Sequence, residues 1–157
     1  MSLSVTVCAI ASAIFLYSFT RGGSPEKLAG LFIVGWVFSG RLVQSEISQA
    51  TFQNVELLDF IWDAALFAAT TVLAVRANRV WPCVVAGSSL VMLCGHASAW
   101  IYPHGMKQAY WAMSNLPFLI AQAALVSGIS AHRRRSDQLG RYCDWRIEKS
   151  VRNPHDA

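Results

Sequence analysis

VWPCVVAGSSLVMLCGHASAWI, residues 80–101, contains no Asp, Glu, Lys or Arg. Neither does AYWAMSNLPFLIAQAALVSGISA, residues 109–131. A helix needs about 20 apolar residues to cross the hydrocarbon core of a bilayer, and both stretches meet that length. Three further segments approach it. Residues 3–19 are uncharged, residues 28–47 are interrupted only by Arg41 and Glu46, and residues 55–75 carry Glu56, Asp59 and Asp63 at their start. No segment alternates in the way a β-barrel strand does. The pattern predicts an all-α integral membrane protein with five transmembrane helices, at approximately 3–19, 28–47, 55–75, 80–101 and 109–131.

Composition agrees. Charged residues make up 14% of the 157-residue chain and hydrophobic residues 54%, whereas a typical soluble domain is about 25% charged. The charges gather in short breaks and in the last 25 residues. Seven of the 13 basic residues follow His132, beginning with Arg133, Arg134 and Arg135. A polybasic run directly after an apolar segment faces anionic lipid, each residue contributing roughly 1 kcal/mol near the surface. No groove-reading motif accompanies the charge, so nucleic acid is not an expected partner. The chain divides into a bundle, 1–132, and a basic tail, 133–157. Leu139, Cys143, Ile147 and Val151 recur every four residues there, which suits an amphipathic helix on the inner leaflet; a loosely ordered tail fits equally well, since Gly140 weakens the helix.

The first segment lacks a basic n-region, and its apolar residues continue past the only A-x-A-like sites, so it reads as a retained span rather than a signal peptide. Orientation follows from Lys and Arg in the short loops. One side receives Arg21 and Lys27, Arg76 and Arg79, and the basic tail; the other receives Lys107 alone. The N-terminus is therefore expected outside and the C-terminus in the cytoplasm, in a bacterial inner membrane. Small residues four apart, such as Ala9/Ala13, Gly35/Ser39, Ala64/Ala68, Gly95/Ala99 and Ala124/Gly128, allow close helix approach, within the bundle or in a homo-oligomer. Pro117 should kink or locally end the fifth helix.

One constellation carries chemistry. Glu56, Asp59 and Asp63, at i, i+3 and i+7, share a helix face. Asp63 lies roughly 12 Å below Val55, and His96 about 7 Å below Ile101. Arg41 comes to a similar depth on a third helix, and Asn115 and Gln122 on the fifth offer hydrogen bonds. An ionisable group at membrane depth is costly and avoids lipid, so Arg41 is expected to pair with Asp59 or Asp63. Three readings stay open: a structural clamp, a polar cavity for a proton, cation or small ligand, and a metal site of Asp59, Asp63 and His96, for which no spacing signature exists. Only His96 lies deep within a span, so no haem is expected, nor any other cofactor. The four cysteines form no C-x-x-C pair, and phosphate loops, G-x-S-x-G and dinucleotide fingerprints are missing. The expected role is a non-enzymatic accessory, sensor or assembly subunit, alone as a homo-oligomer or with a membrane-protein partner. The alternative is a small proton- or cation-linked transporter that uses the Arg41/Asp59/Asp63/His96 cluster.

Overall fold

The computed structural model describes residues 3–47, 52–101, 107–140 and 144–145. Among them the chain forms five helices and no strand: α1 (Leu3–Arg21), α2 (Ser24–Ile47), α3 (Phe52–Arg76), α4 (Trp81–Ile101) and α5 (Lys107–Leu139). Each helix packs on its neighbour in sequence, α1 closes against α5, and α2 also touches α5. The five expected segments thus map one to one onto five helices. Two are long and apolar enough to cross a membrane, α3 over Leu57–Arg76 and α4 over Trp81–Ser98; Thr6–Arg21 in α1 is a shorter apolar helix.

The core is thin and made of small and mid-sized side chains. Ala11, Ala29, Ile33, Val37, Leu73, Met92, Phe118, Leu125 and Ile129 are buried together, and the Trp36 and Phe118 rings meet at 5.2 Å between α2 and α5. By contrast, large apolar residues point outward from every helix: Leu16 and Phe19 on α1, Leu31 and Phe38 on α2, Ile61 and Val72 on α3, Leu90 and Val91 on α4, Leu119 and Ile120 on α5. Extensive exposed apolar surface of this kind suits contact with lipid or with another protein.

Three boundaries differ from expectation. First, α2 starts at Ser24 rather than near Leu28, because GSPE (residues 23–26) is a helix start. Pro25 sits in the first turn, where its missing N–H costs little, and the Glu26 carboxylate reaches back to the Gly23 N–H at 3.1 Å, as the third helical residue does in a capping box. Second, α5 runs through Pro117 without ending. Proline removes one backbone bond there, and the helix continues on both sides of it. Third, α5 continues past Ala131, so Arg133, Arg134 and Arg135 lie on the helix itself, exposed. It stops at Gly140, whose φ of 70° is open to glycine and strained for other residues. The Gly140 N–H bonds back to the Ser136 carbonyl at 3.0 Å, closing the helix end. Of the proposed tail helix, Cys143, Ile147 and Val151 lie outside the described residues.

The small-residue pairs split between two roles. Gly95 is buried against Met113, and Gly128 against Trp81, both between α4 and α5. Ala9, Ala13 and Ala68 are exposed, and Gly35 has open space around it.

Candidate functional site

The buried polar groups form two separate clusters, one about midway along α2 and α3 and one at the end where the α1–α2 and α3–α4 turns lie. Glu26, Asp63, Arg79 and His96 are the buried acidic, basic and imidazole side chains among the described residues.

Asp63, His96 and Trp36 form the first cluster. Asp63 is on the fourth turn of α3, and its carboxylate takes one donor from each flanking helix. The Trp36 indole N–H of α2 donates to Oδ1 at 2.9 Å, and His96 Nε2 of α4 lies 3.1 Å from Oδ2. An ionised carboxylate accepts only, so His96 carries its proton on Nε2 whether the ring is neutral or charged. Asp63 is 3% exposed and His96 7%, and at that burial an unpartnered carboxylate costs several kcal/mol. Two donors from two helices offset that cost and tie α2, α3 and α4 at one level. Asp63 and His96, expected only at like depth, are here in contact, and Trp36 is a further partner that the sequence reading left out of the cluster. Asp59 lies half-buried one turn away, and Asn115 is half-buried on α5. The side chains of Arg41 and Glu56 lie outside the described residues, so the expected pairing of Arg41 falls there too.

The second cluster was not foreseen. It joins Glu26, Arg79, Trp81, His132 and Asp144. Arg79, in the turn between α3 and α4, enters the sequence reading only as one of the loop charges that set orientation; its side chain is 3% exposed, and that of Glu26 is 0% exposed. Arg79 Nη1 meets Glu26 Oε1 at 3.2 Å, and the Trp81 indole N–H donates to the same oxygen at 3.0 Å. Arg79 Nη2 donates to Asp144 Oδ1 and lies 3.1 Å from His132 Nδ1. A guanidinium only donates, so at this contact the His132 nitrogen is the acceptor. Asp144 completes the net: its Oδ2 accepts the Ser24 N–H at 3.0 Å, and its carbonyl accepts the Asn78 N–H at 3.2 Å. Ala77 and Trp145 form an antiparallel bridge beside it.

Both loops at this end are thereby fastened to the segment that follows α5. Glycine makes room for this. A Cβ on Gly23 would stand 3.0 Å from both Asp144 carboxylate oxygens and from His132 Cε1, and one on Gly128 would stand 2.5 Å from the Trp81 ring. GSPE at a helix start was the available signal. It marks Glu26 as a first-turn residue, although nothing local says that Arg79 and Asp144 come to it.

The Asp144 carboxyl is held below the usual carboxylate range. Partial burial pushes it up, but the Ser24 backbone N–H, the Arg79 charge and the neighbouring His132 together pull it down further. A folded-state pKa below the unfolded one adds stability above the unfolded value of about 3.9, and that stability is lost as pH falls through the folded value. Melting temperature measured from pH 6 to pH 3 should therefore drop more steeply for wild type than for Asp144→Asn, with the curves converging at the acid end. Parallel curves would contradict the pairing.

Among the described residues no group of three or more His, Cys, Asp and Glu side chains is placed to hold a metal ion. No protein-family model matches this chain, and no curated protein or solved structure matches it either.

Proposed function

We propose that this chain is a five-span membrane protein of the bacterial cytoplasmic membrane, N-terminus outside and C-terminal segment in the cytoplasm, that serves as a non-enzymatic accessory or assembly subunit. The exterior supports the membrane part. Exposed positions on α2 from Leu28 to Phe38, on α3 from Leu57 to Val75, on α4 from Cys83 to Ser98 and on α5 from Leu116 to Ser127 bear no charge. Among the described residues, the exposed basic side chains Arg21, Lys27, Arg76, Arg133, Arg134 and Arg135 all belong to the end that holds the Glu26–Arg79 pair. A charge-free belt with a basic rim on one side is what the positive-inside rule asks of a bundle in a bilayer.

The observation that carries the role is the commitment of the buried ionisable groups. Glu26, Asp63, Arg79 and His96 each bond to a side chain on another element. Groups so occupied hold helices together and leave the outer surface to make contacts. The test is capture of the tagged chain in mild detergent. A stoichiometric membrane-protein partner is expected; a monodisperse preparation without one overturns the subunit role.

A second reading, proton- or cation-linked transport, draws on Gln122. It is buried on α5, and its Oε1 has no hydrogen-bond donor among the described residues. An acceptor at that depth is kept at a cost unless something visits it. Proteoliposomes under an imposed proton or cation gradient separate the two, with Asp63→Asn as the variant: flux that falls in the variant favours transport, and an inert wild type removes it.

Orientation has its own check. In a variant whose only cysteine is Cys143, an impermeant maleimide added to intact cells should leave the chain unlabelled, and permeabilisation should expose the thiol. Labelling without permeabilisation would reverse the topology.

A further inference from the structure

A cleft of about 190 Å³ opens between α4 and α5 beside the Arg79 cluster, walled by Arg79, Trp81, Ser127, Gly128, Ala131 and Arg135. Along its wall the Trp81 ring packs directly on Gly128, where a Cβ would stand 2.5 Å from the ring. The cleft volume is several times the ~30 Å³ that one water takes in the liquid, so it has room for a phosphate group with part of what it esterifies.

The electrostatics of the cleft are one-sided. The Arg79 guanidinium is matched by Glu26 and Asp144. Trp81 spends its indole N–H on Glu26. Arg135 is different: it is exposed and, among the described residues, has no carboxylate partner within ion-pair distance. Arg133 and Arg134 adjoin it on the same helix. The cleft also lies at the first residue of α4, the positive end of a helix dipole. The Ser127 hydroxyl donates to the Ala124 carbonyl at 2.7 Å, which still leaves lone pairs for a donor and no negative charge.

The mouth of the cleft is apolar. Val80 lines it and is 80% exposed, and Val84, one turn along α4, is 44% exposed. A cation beside a cavity, at the level where charged rim gives way to apolar belt, matches the geometry in which basic pockets between membrane helices take lipid headgroups.

We propose that this cleft is a phosphate-binding site with Arg135 as its charge partner, and that the phosphate is carried by an anionic glycerophospholipid whose acyl chains lie past Val80 and Val84. The lipid source rests on the membrane reading above; the phosphate chemistry does not.

The full chain, purified in a non-ionic detergent, is titrated separately with phosphatidylglycerol, phosphatidylcholine and inorganic phosphate while its melting temperature is followed. Phosphatidylglycerol should raise it saturably and phosphatidylcholine should not. Arg135→Gln should weaken the half-saturating concentration about tenfold, the worth of one charge-assisted contact. Ala131→Phe, which fills the cleft and leaves every charge in place, should abolish the shift. Arg21→Gln removes an exposed basic charge at the end of α1, outside the lining of the cleft, and should behave as wild type. If inorganic phosphate gives the same saturable, Arg135-dependent shift, the site stands and its ligand is free phosphate. If no phosphate source shifts the wild type, or if Arg135→Gln and Arg21→Gln respond alike, the site is overturned. A wild type that stays monodisperse when detergent is removed defeats the membrane reading, and the inorganic phosphate titration then decides the cleft alone.

Discussion

Arg79→Met should lower the stability of the chain by about 3–5 kcal/mol, the usual cost of removing one partner from a buried ion pair. For a chain of this length that corresponds to a fall in melting temperature on the order of 10 °C. The reason is what the substitution leaves behind. Glu26, 0% exposed, keeps its bonds from Trp81 and Gly23 but loses its only counter-charge among the described residues. Asp144 and His132 lose a shared donor at the same time. Arg79→Lys should recover only part of the loss, because an ammonium cannot reach Glu26 and Asp144 in the forked geometry of a guanidinium. The double variant Glu26→Gln/Arg79→Met should be more stable than Arg79→Met alone, since the stranded charge is gone. Thermal melts of the three variants in one detergent check this, and equal losses in Arg79→Met and the double variant would mean that the pair does not carry the end of the bundle.

The residues at that end also show where the sequence was legible and where it was not. Five apolar segments were readable because the bilayer demands long charge-free stretches, and each one became a helix. The helix ends were harder, since they depend on single residues. Gly23, Pro25 and Glu26 open α2 four residues early, and Gly140 closes α5 eight residues late. Depth was legible as well: counting 1.5 Å per residue from two helix ends put Asp63 and His96 at one level, and they do meet. Partner choice was not. Counting rises says nothing of the azimuth at which Trp36 faces α3. Arg79 looked like a loop charge because its partners lie 53 and 65 residues away, at Glu26 and on the far side of α5. A short loop between two helices gives no sign that it will be covered by a segment after the last one.

Asp63 is where the two functional readings divide, and two substitutions separate them. Asp63→Ala should cost about 2–4 kcal/mol. It strands the Trp36 N–H and the His96 N–H, and a buried donor left without an acceptor costs about 1–3 kcal/mol. Asp63→Asn is the sharper instrument. The amide oxygen still accepts from Trp36, and the amide nitrogen can donate to His96 once the ring moves its proton to the other nitrogen. Hydrogen bonding across α2, α3 and α4 then survives while the charge is gone. If the cluster is a clamp, Asp63→Asn should stay within about 1 kcal/mol of wild type, the span of a single hydrogen-bond change, and should keep its partner in mild-detergent capture. If the charge itself is what the protein maintains, removing a desolvated carboxylate should stabilise the chain while a proton- or cation-driven flux is lost. A stabilised Asp63→Asn that loses flux would therefore overturn the subunit role, and it would do so without unfolding the bundle in which both readings are measured.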